Sequence, residues 1–329
     1  MKTFSRDISI IVPTYKRPDD IERALKSAAA QDTGRYSCEI IVADNDPAAS
    51  AKTRVAEMIA QFSHAEIIYI HVPEPGVSNA RNGALAKSRG RFLIFLDDDM
   101  EAEKDWAFQL ADAAEQQSAA IVFGPVESVM PLGDDPLYPY MQPLFSRTGD
   151  FPDGHIDALF GTGGCLIDQG QCSLPSPAFD PALNEVGGED DAMFAHILAQ
   201  GAKIGWTTKA IAVEHIPEHR STPAYVWTRN FAFGQGPSQN EADKGAAGTL
   251  GVMKWMCVGA VQTLIFGPQY LLRRAIGRPD YISSYARLSQ AIGKILWFDG
   301  FSPRLYGSDA PTSPSTKTKS AAPSKAKAA

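Results

Sequence analysis

Cysteine is scarce in this 329-residue chain: Cys38, Cys165, Cys172 and Cys257 show no C-x-x-C pair and no zinc-like spacing. That argues against a disulfide framework or a zinc site, and a reduced, cytosolic chain is expected. The N-terminal stretch Met1-Lys2-Thr3-Phe4-Ser5-Arg6-Asp7 lacks an apolar run, so no signal peptide is expected. No G-x-G-x-x-G follows the first apolar run, which counts against a dinucleotide enzyme. No G-x-x-x-x-G-K-[ST] occurs, which counts against a P-loop. Basic charge is short over most of the length: residues 1–250 hold 20 basic and 35 acidic side chains, a balance of −15. Nucleic acid is therefore not the expected partner. Residues 251–329 reverse the sign, with 11 basic and 3 acidic side chains, a balance of +8.

The stretch around which the rest is organised is Arg91-Phe92-Leu93-Ile94-Phe95-Leu96-Asp97-Asp98-Asp99-Met100. Phe92 to Leu96 reads as a buried strand, and it stops abruptly in three carboxylates. Adjacent acids repel and cannot all enter a core, so they are expected to face solvent or a cation. In open parallel sheets ligands bind where strands stop, and Mg²⁺ or Mn²⁺ takes one or two carboxylates plus substrate phosphate. The acids therefore suggest a metal that holds a diphosphate. The alternative is a helix start with acids favoured by the dipole, since Glu101 and Glu103 follow.

Upstream, Ile8-Ser9-Ile10-Ile11-Val12 is a strand signal stopped by Pro13, and Asp19 or Asp20 could cap a helix carrying Ile21, Leu25 and Ala28. Glu39 to Ala43 is a second strand ending in Asp44-Asn45-Asp46. A helix over about 50–62, a strand Ile67–Ile70 and a helix with Ala80, Ala84 and Leu85 inward complete the run to Phe92. Strands alternating with helices at this spacing mean βαβ units and a mostly parallel sheet, an α/β fold. Acids converging on one edge make a nucleotide-sized pocket.

Farther on, residues 130–158 are rich in Pro, Gly and Asp and read as a long mobile loop. Phe160 to Ile167 reads as a strand in which Gly161, Gly163 and Gly164 would let backbone approach a ligand, or simply form a tight turn. Gly187-Gly188-Glu189-Asp190-Asp191 opens a helix with Met193, Ile197 and Leu198 inward. By spacing alone its acids compensate the dipole.

Ile10-Ile11-Val12-Pro13-Thr14-Tyr15, Val42-Ala43-Asp44-Asn45-Asp46, Asn79-Ala80-Arg81-Asn82-Gly83 and Phe95-Leu96-Asp97-Asp98-Asp99, in this order over about 100 residues, resemble the donor-binding half of family 2 glycosyltransferases. That resemblance implies a GT-A fold and an inverting enzyme. It implies Thr14 and Asp44 near the nucleoside, Arg81 near the donor, Asp97 facing the ribose and Asp99 the metal, with Asp46 and Asp98 in the same donor pocket. G-G-E-D looks like the acceptor-side motif of the family, which makes Asp190 the catalytic base and Asp191 its fallback. Ala192 stands where relatives often carry a further Asp. The later segments Ala212–Arg220 and Trp227–Gly234 resemble exopolysaccharide enzymes of the succinoglycan type. They imply Arg220 near the diphosphate and His215 as a third metal ligand, with a structural role as its alternative.

Trp255 to Leu272 is an uncharged run of 18 residues between Lys254 and Arg273-Arg274. It is just long enough to span a bilayer, but Gln262, Thr263 and Gly267-Pro268 interrupt it, so an interfacial or re-entrant hairpin is the first reading. A spanning helix and a buried core helix are the alternatives. Tyr285, Leu288, Ile292 and Ile295 continue as an amphipathic helix, and residues 310–329 contain only Ala, Pro, Thr, Ser and Lys, too polar for a core. The expected layout is a GT-A domain over 1–248, a membrane-associated helical segment over 249–307 and a disordered tail over 308–329. The expected activity is transfer from a nucleotide-sugar donor to a glycan or lipid-linked sugar acceptor, at the cytoplasmic face of the inner membrane. A sugar-phosphate nucleotidyltransferase would show a Gly-rich first turn followed by Arg, where this chain has Pro13-Thr14-Tyr15. A non-catalytic membrane-bound glycan-binding protein is the other rival.

Overall fold

Apolar residues run almost without a break along the first strands, because successive side chains point to opposite faces of the sheet and both faces are covered. In the computed structural model, which describes residues 3–184 and 187–303, Ile8, Ile10 and Val12 of β1 (Arg6–Thr14) enter one core and Ile11 enters another. The first core is covered by α1 (Pro18–Ala29), α2 (Lys52–Gln61) and, farther along, α4 (Trp106–Gln117). The second is covered by α3 (Val77–Leu85) and α6 (Glu189–Leu198). Between them run β2 (Cys38–Asp44), β3 (Ile67–His71), β4 (Gly90–Phe95), β6 (Ile121–Phe123), β8 (Gly154–His155), β9 (Cys165–Asp168) and β10 (Ile204–Trp206). The order across the sheet is β3-β2-β1-β4-β9-β6-β10-β8. β3, β2, β1 and β4 are parallel, while β9 runs antiparallel to both β4 and β6. A small second sheet, β5 (Met100–Ala102), β11 (Ala212–His215) and β7 (Val126–Val129), continues past the acidic triplet.

Several local expectations shift. β1 continues through Pro13 to Thr14, with Pro13 in register with Ala43 and Thr14 with Asp44. Asp19 and Asp20 lie in the first turn of α1 without capping it; Arg17 holds the N-cap position with no side-chain cap. Residues 130–158 are not all loop: α5 (Tyr138–Phe145) forms there, anchored by buried Met141 and Phe145. The strand expected from Phe160 begins only at Cys165, since residues 158–164 run as loop and bend into the site.

The C-terminal part is three helices, α7 (Pro223–Ala242), α8 (Thr249–Ala275) and α9 (Tyr281–Ile295). α7 and α9 pack very closely: a methyl group on Gly234 would lie 2.2 Å from the Gln290 carbonyl oxygen. Ile282 and Ala286 of α9 share a core with Met141, Phe145, Ile216 and Val226, so the helices after residue 248 pack back onto the preceding chain. α8 is one continuous helix through Gly267-Pro268 rather than a broken re-entrant pair. It is long and apolar enough to cross a membrane, and only 6% of its most apolar stretch is buried. Leu250, Leu264, Leu271 and Leu272 are well exposed on it. The expected tail over 308–329 lies outside the described residues.

Candidate active site

Because β1, β2 and β4 are parallel, their C-terminal ends meet on one edge. Thr14 stands in register with Asp44 there. Asp44 is fully buried, and its carboxylate accepts from the Tyr69 hydroxyl at 2.9 Å, the Ala51 amide at 3.0 Å and the Asp46 amide at 3.1 Å. It therefore shapes the turn after β2. Asp46, also buried, accepts from the Ala48 amide at 3.2 Å. Asn45, which was not expected to matter, donates to the Val72 and Glu74 carbonyls and accepts from the Gly76 amide. It thus ties the strand end to the start of α3.

The acidic triplet was expected to face solvent or a cation, and for Asp98 and Asp99 it is a cation. Asp98 and Asp99 are only 6% and 7% exposed, and the cation beside them belongs to the chain. Arg17 Nη1 is 3.0 Å from Asp98 Oδ1 and 3.2 Å from Asp99 Oδ2, and the Thr14 hydroxyl donates to Asp98 Oδ2 at 2.8 Å. Arg220 Nη1 lies 3.6 Å from Asp99 Oδ2. A buried carboxylate is tolerable only when paired, which is why Arg17 is drawn in. Burial, reinforced by Asp98, Asp97 and Glu214, still pushes the Asp99 carboxyl up to about 7. Asp97 remains a third exposed and turns toward Arg81 Nη2, 3.6 Å away.

Arg81 links this triplet to the second acidic motif. Its Nη1 donates to Glu189 Oε1 at 2.8 Å in a buried pair, and its guanidinium lies over the Phe179 ring at 5.3 Å. The turn into α6 needs Gly187 and Gly188, whose φ values of 80° and 86° disfavour residues with a Cβ. α6 is held against α3 by the segment before it: Asn82 pairs with the Phe179 backbone in both directions, and Asn184 accepts from the Ser78 amide. Asp190, half-buried, accepts from the Asp191 amide at 3.0 Å and from the Thr162 amide at 3.2 Å. A methyl group on Gly163 would fall 2.2 Å from Asp97 Oδ2. Residues 161–164 therefore touch both Asp97 and Asp190. Asp191 is exposed.

His215 closes β11, with its amide donating to the Asp99 carbonyl at 2.8 Å and its Nε2 lying 3.1 Å from Glu101 Oε2. Asp99 and His215 line one cavity of about 250 Å³ with Arg17 and His219. Among the described residues, no three Asp, Glu, His or Cys side chains are gathered into a ready cage. Asp99, whose carboxyl is raised first by burial, and His215 are side chains of this cavity that could hold a divalent ion beside space for phosphate and water. Arg17 and Glu189 were missed in the sequence. A triplet of acids entering a core requires a cation, and that was the available signal for Arg17.

Comparison with known proteins gives the family and the fold. Residues 9–167 match the family described as Glycosyl transferase family 2. The succinoglycan biosynthesis protein ExoM of Rhizobium meliloti is 33% identical over 244 residues, covering 72% of this chain and 76% of that protein. A GalNAc(5)-diNAcBac-PP-undecaprenol beta-1,3-glucosyltransferase of Campylobacter jejuni is 32% identical over 94 residues, 29% of this chain and 30% of that enzyme. In fold, the chain resembles the crystal structure of S. aureus TarS 1-349 in complex with UDP-GlcNAc, with a TM-score of 0.50 at 13% identity, over 93% of this chain and 98% of that one. The fold is of the GT-A type, and the chain belongs to glycosyltransferase family 2.

Proposed function

We propose that this enzyme is an inverting transferase of exopolysaccharide or cell-surface glycan synthesis that moves a sugar from a nucleoside diphosphate donor to a glycan or lipid-linked acceptor, with Asp190 as general base. The observation that carries this reading is the position of Asp190 on residues 161–164, the short stretch that also meets Asp97. The acceptor hydroxyl oxygen bonds to the anomeric carbon from the face opposite the diphosphate. Its proton passes to Asp190 as the anomeric carbon–oxygen bond breaks and the electron pair leaves with the diphosphate. One base is enough, because a nucleoside diphosphate needs no protonation to depart. Thr14, Asp44 and Asp46 shape the nucleoside end of the pocket, Asp97 and Asp98 its donor side, with Arg81 behind Asp97. Arg220, beside Asp99, faces the diphosphate. Mg²⁺ or Mn²⁺ at Asp99, with His215 as further ligand, would supply Lewis-acid compensation of the diphosphate charge. The family membership, the UDP-GlcNAc complex of TarS and the name of ExoM all support this reading.

A panel of UDP-, GDP-, ADP- and dTDP-sugars with Mn²⁺ tests the proposal. Transfer, or slow hydrolysis releasing nucleoside diphosphate, is expected. Pyrophosphate exchange would point to a nucleotidyltransferase, and silence across the panel to a glycan-binding protein. In calorimetry, Asp99→Ala is expected to abolish the Mn²⁺-dependent part of UDP binding while leaving the fold intact, since Arg17 retains Asp98. Equal Mn²⁺ dependence in the variant would remove Asp99 from the metal site.

We also propose that the outer face of α8 rests in the cytoplasmic leaflet of the inner membrane, peripherally or as a monotopic anchor. Residues 251–306 hold seven basic side chains against Asp280 and Asp299, and each basic residue near an anionic surface contributes about 1 kcal/mol. Burying an exposed leucine adds about 1.5–3 kcal/mol. Full-length protein is expected to sediment with membranes and resist high salt. The triple change Leu264→Ser, Leu271→Ser, Leu272→Ser should release it without unfolding, because these positions are exposed. Full-length protein that stays monodisperse in buffer without detergent or lipid would sink this placement.

A further inference from the structure

Beside Asp190 lies a half-buried cation to which the donor pocket assigns no task. Arg147 follows α5 and pairs through its backbone with Val126, its amide donating to the Val126 carbonyl at 2.8 Å. This holds the side chain over the second sheet, one-fifth exposed, with Nη2 3.5 Å from Glu214 Oε2 and 3.8 Å from Met100 Sδ. Its Nε is buried with no hydrogen-bond partner among the described residues, and so is the Thr162 hydroxyl. A guanidinium buried this far is costly unless its donors are used. One ion pair at 3.5 Å uses few of them.

What Arg147 faces is set by Gly161. A methyl carbon built on Gly161 would lie 3.4 Å from Asp190 Oδ2 and 3.5 Å from Arg147 Nη1. Both groups therefore border the same notch, which stays open because residue 161 has no side chain. A proton acceptor stands on one side and a permanent donor on the other. A sugar hydroxyl about to become a nucleophile needs both: its proton must leave, and the negative charge growing on its oxygen must be met by a preorganised donor.

We propose that the notch over Gly161 seats the attacking hydroxyl of the acceptor sugar, and that Arg147 donates from Nη1 to that oxygen while Asp190 Oδ2 takes its proton. The inference rests on Asp190 as base and extends it to the acceptor side. The new bond joins the acceptor oxygen to the anomeric carbon, the bond to the diphosphate breaks, and the proton ends on Asp190. Arg147 changes neither charge nor protonation.

The test follows UDP release from the donor that turns over in the panel, with water alone and with octyl β-glucoside as probe nucleophiles. Arg147→Met and Arg147→Ala are expected to lower kcat tenfold or more at unchanged UDP affinity. Arg147→Lys should recover part of the rate, and millimolar guanidine should partly rescue Arg147→Ala, which a purely structural role would not allow. Gly161→Ala, filling the notch, should lower kcat with UDP affinity and melting temperature unchanged. Weakened UDP binding in Arg147→Met would move the residue to the diphosphate and overturn the inference. So would a fall in melting temperature without guanidine rescue, or full turnover in Gly161→Ala. If Asp190→Asn stays active while the Arg147 and Gly161 variants fail, the base assignment falls and the notch stands. The reverse pattern leaves the base in place and removes Arg147.

Discussion

Asp190→Asn is expected to lower turnover by about 10²–10⁴-fold, the usual contribution of a positioned general base, with UDP affinity essentially unchanged. The amide matches the carboxylate in size but cannot take the acceptor proton. Its one oxygen can accept from only one of the two amides that anchor the carboxylate, Thr162 on Oδ2 and Asp191 on Oδ1, but the position is half-buried and the lost bond is a local one, so the fold should tolerate it. The measurement is steady-state release of the nucleoside diphosphate of the donor that turns over in the panel, alongside calorimetric binding of the same diphosphate. Asp191→Asn, at the exposed neighbour, should retain near-normal turnover. If Asp191→Asn is the crippled variant and Asp190→Asn is active, the base has been assigned to the wrong residue.

The second large effect is expected at Arg81, which acts on stability and chemistry at once. Arg81 and Glu189 are both nearly buried, with side-chain exposures of 7% and 11%, and their pair joins the donor motif to the acceptor motif. Arg81→Met leaves the Glu189 carboxylate buried without its cation and frees Asp97 from its contact. Breaking a buried pair by removing one partner costs about 3–5 kcal/mol. At roughly 2–4 °C per kcal/mol for a domain of this size, the melting temperature should drop measurably. Burial already holds the Glu189 carboxyl above its usual range, with Asp190 adding to the effect and Arg81 opposing it. Losing Arg81 moves it farther in the same direction. Adding Glu189→Leu to Arg81→Met should return much of the stability, since an apolar pair of similar volume carries no stranded charge. Activity should not return with it, because Asp97 and the start of α6 lose their common anchor. A double variant with restored activity would reduce Arg81 to a structural role.

Much of this was visible in the chain. Near-continuous apolar runs along Ile8–Val12 and Ile40–Ala43, with helices between, are enough to specify βαβ units, because a strand covered on both faces must be apolar on both. Acids ending Phe92–Leu96 marked the first motif by their position, whereas those following Gly187-Gly188 stood out only through the family resemblance. Sequence order said nothing of their distance. Glu189 meets Arg81 only because Asn82 and Asn184 dock the preceding segment onto α3, contacts between residues about 100 positions apart. The same holds for Arg17: a basic residue after a first strand looks like ordinary loop polarity until folding brings it to Asp98 and Asp99. Composition read residues 130–158 as loop because Pro and Gly hid a helix whose Met141 and Phe145 are fixed by α7 and α9. The apolar run Trp255–Leu272 could be recognised by composition alone. That it forms one unbroken helix with an uncovered face was decided by α9, which packs along α8 and leaves the opposite leucines outside. Local pattern determines which residues must be buried or turned, whereas pairing between distant charges depends on chain topology, and the candidate site is made of such pairs.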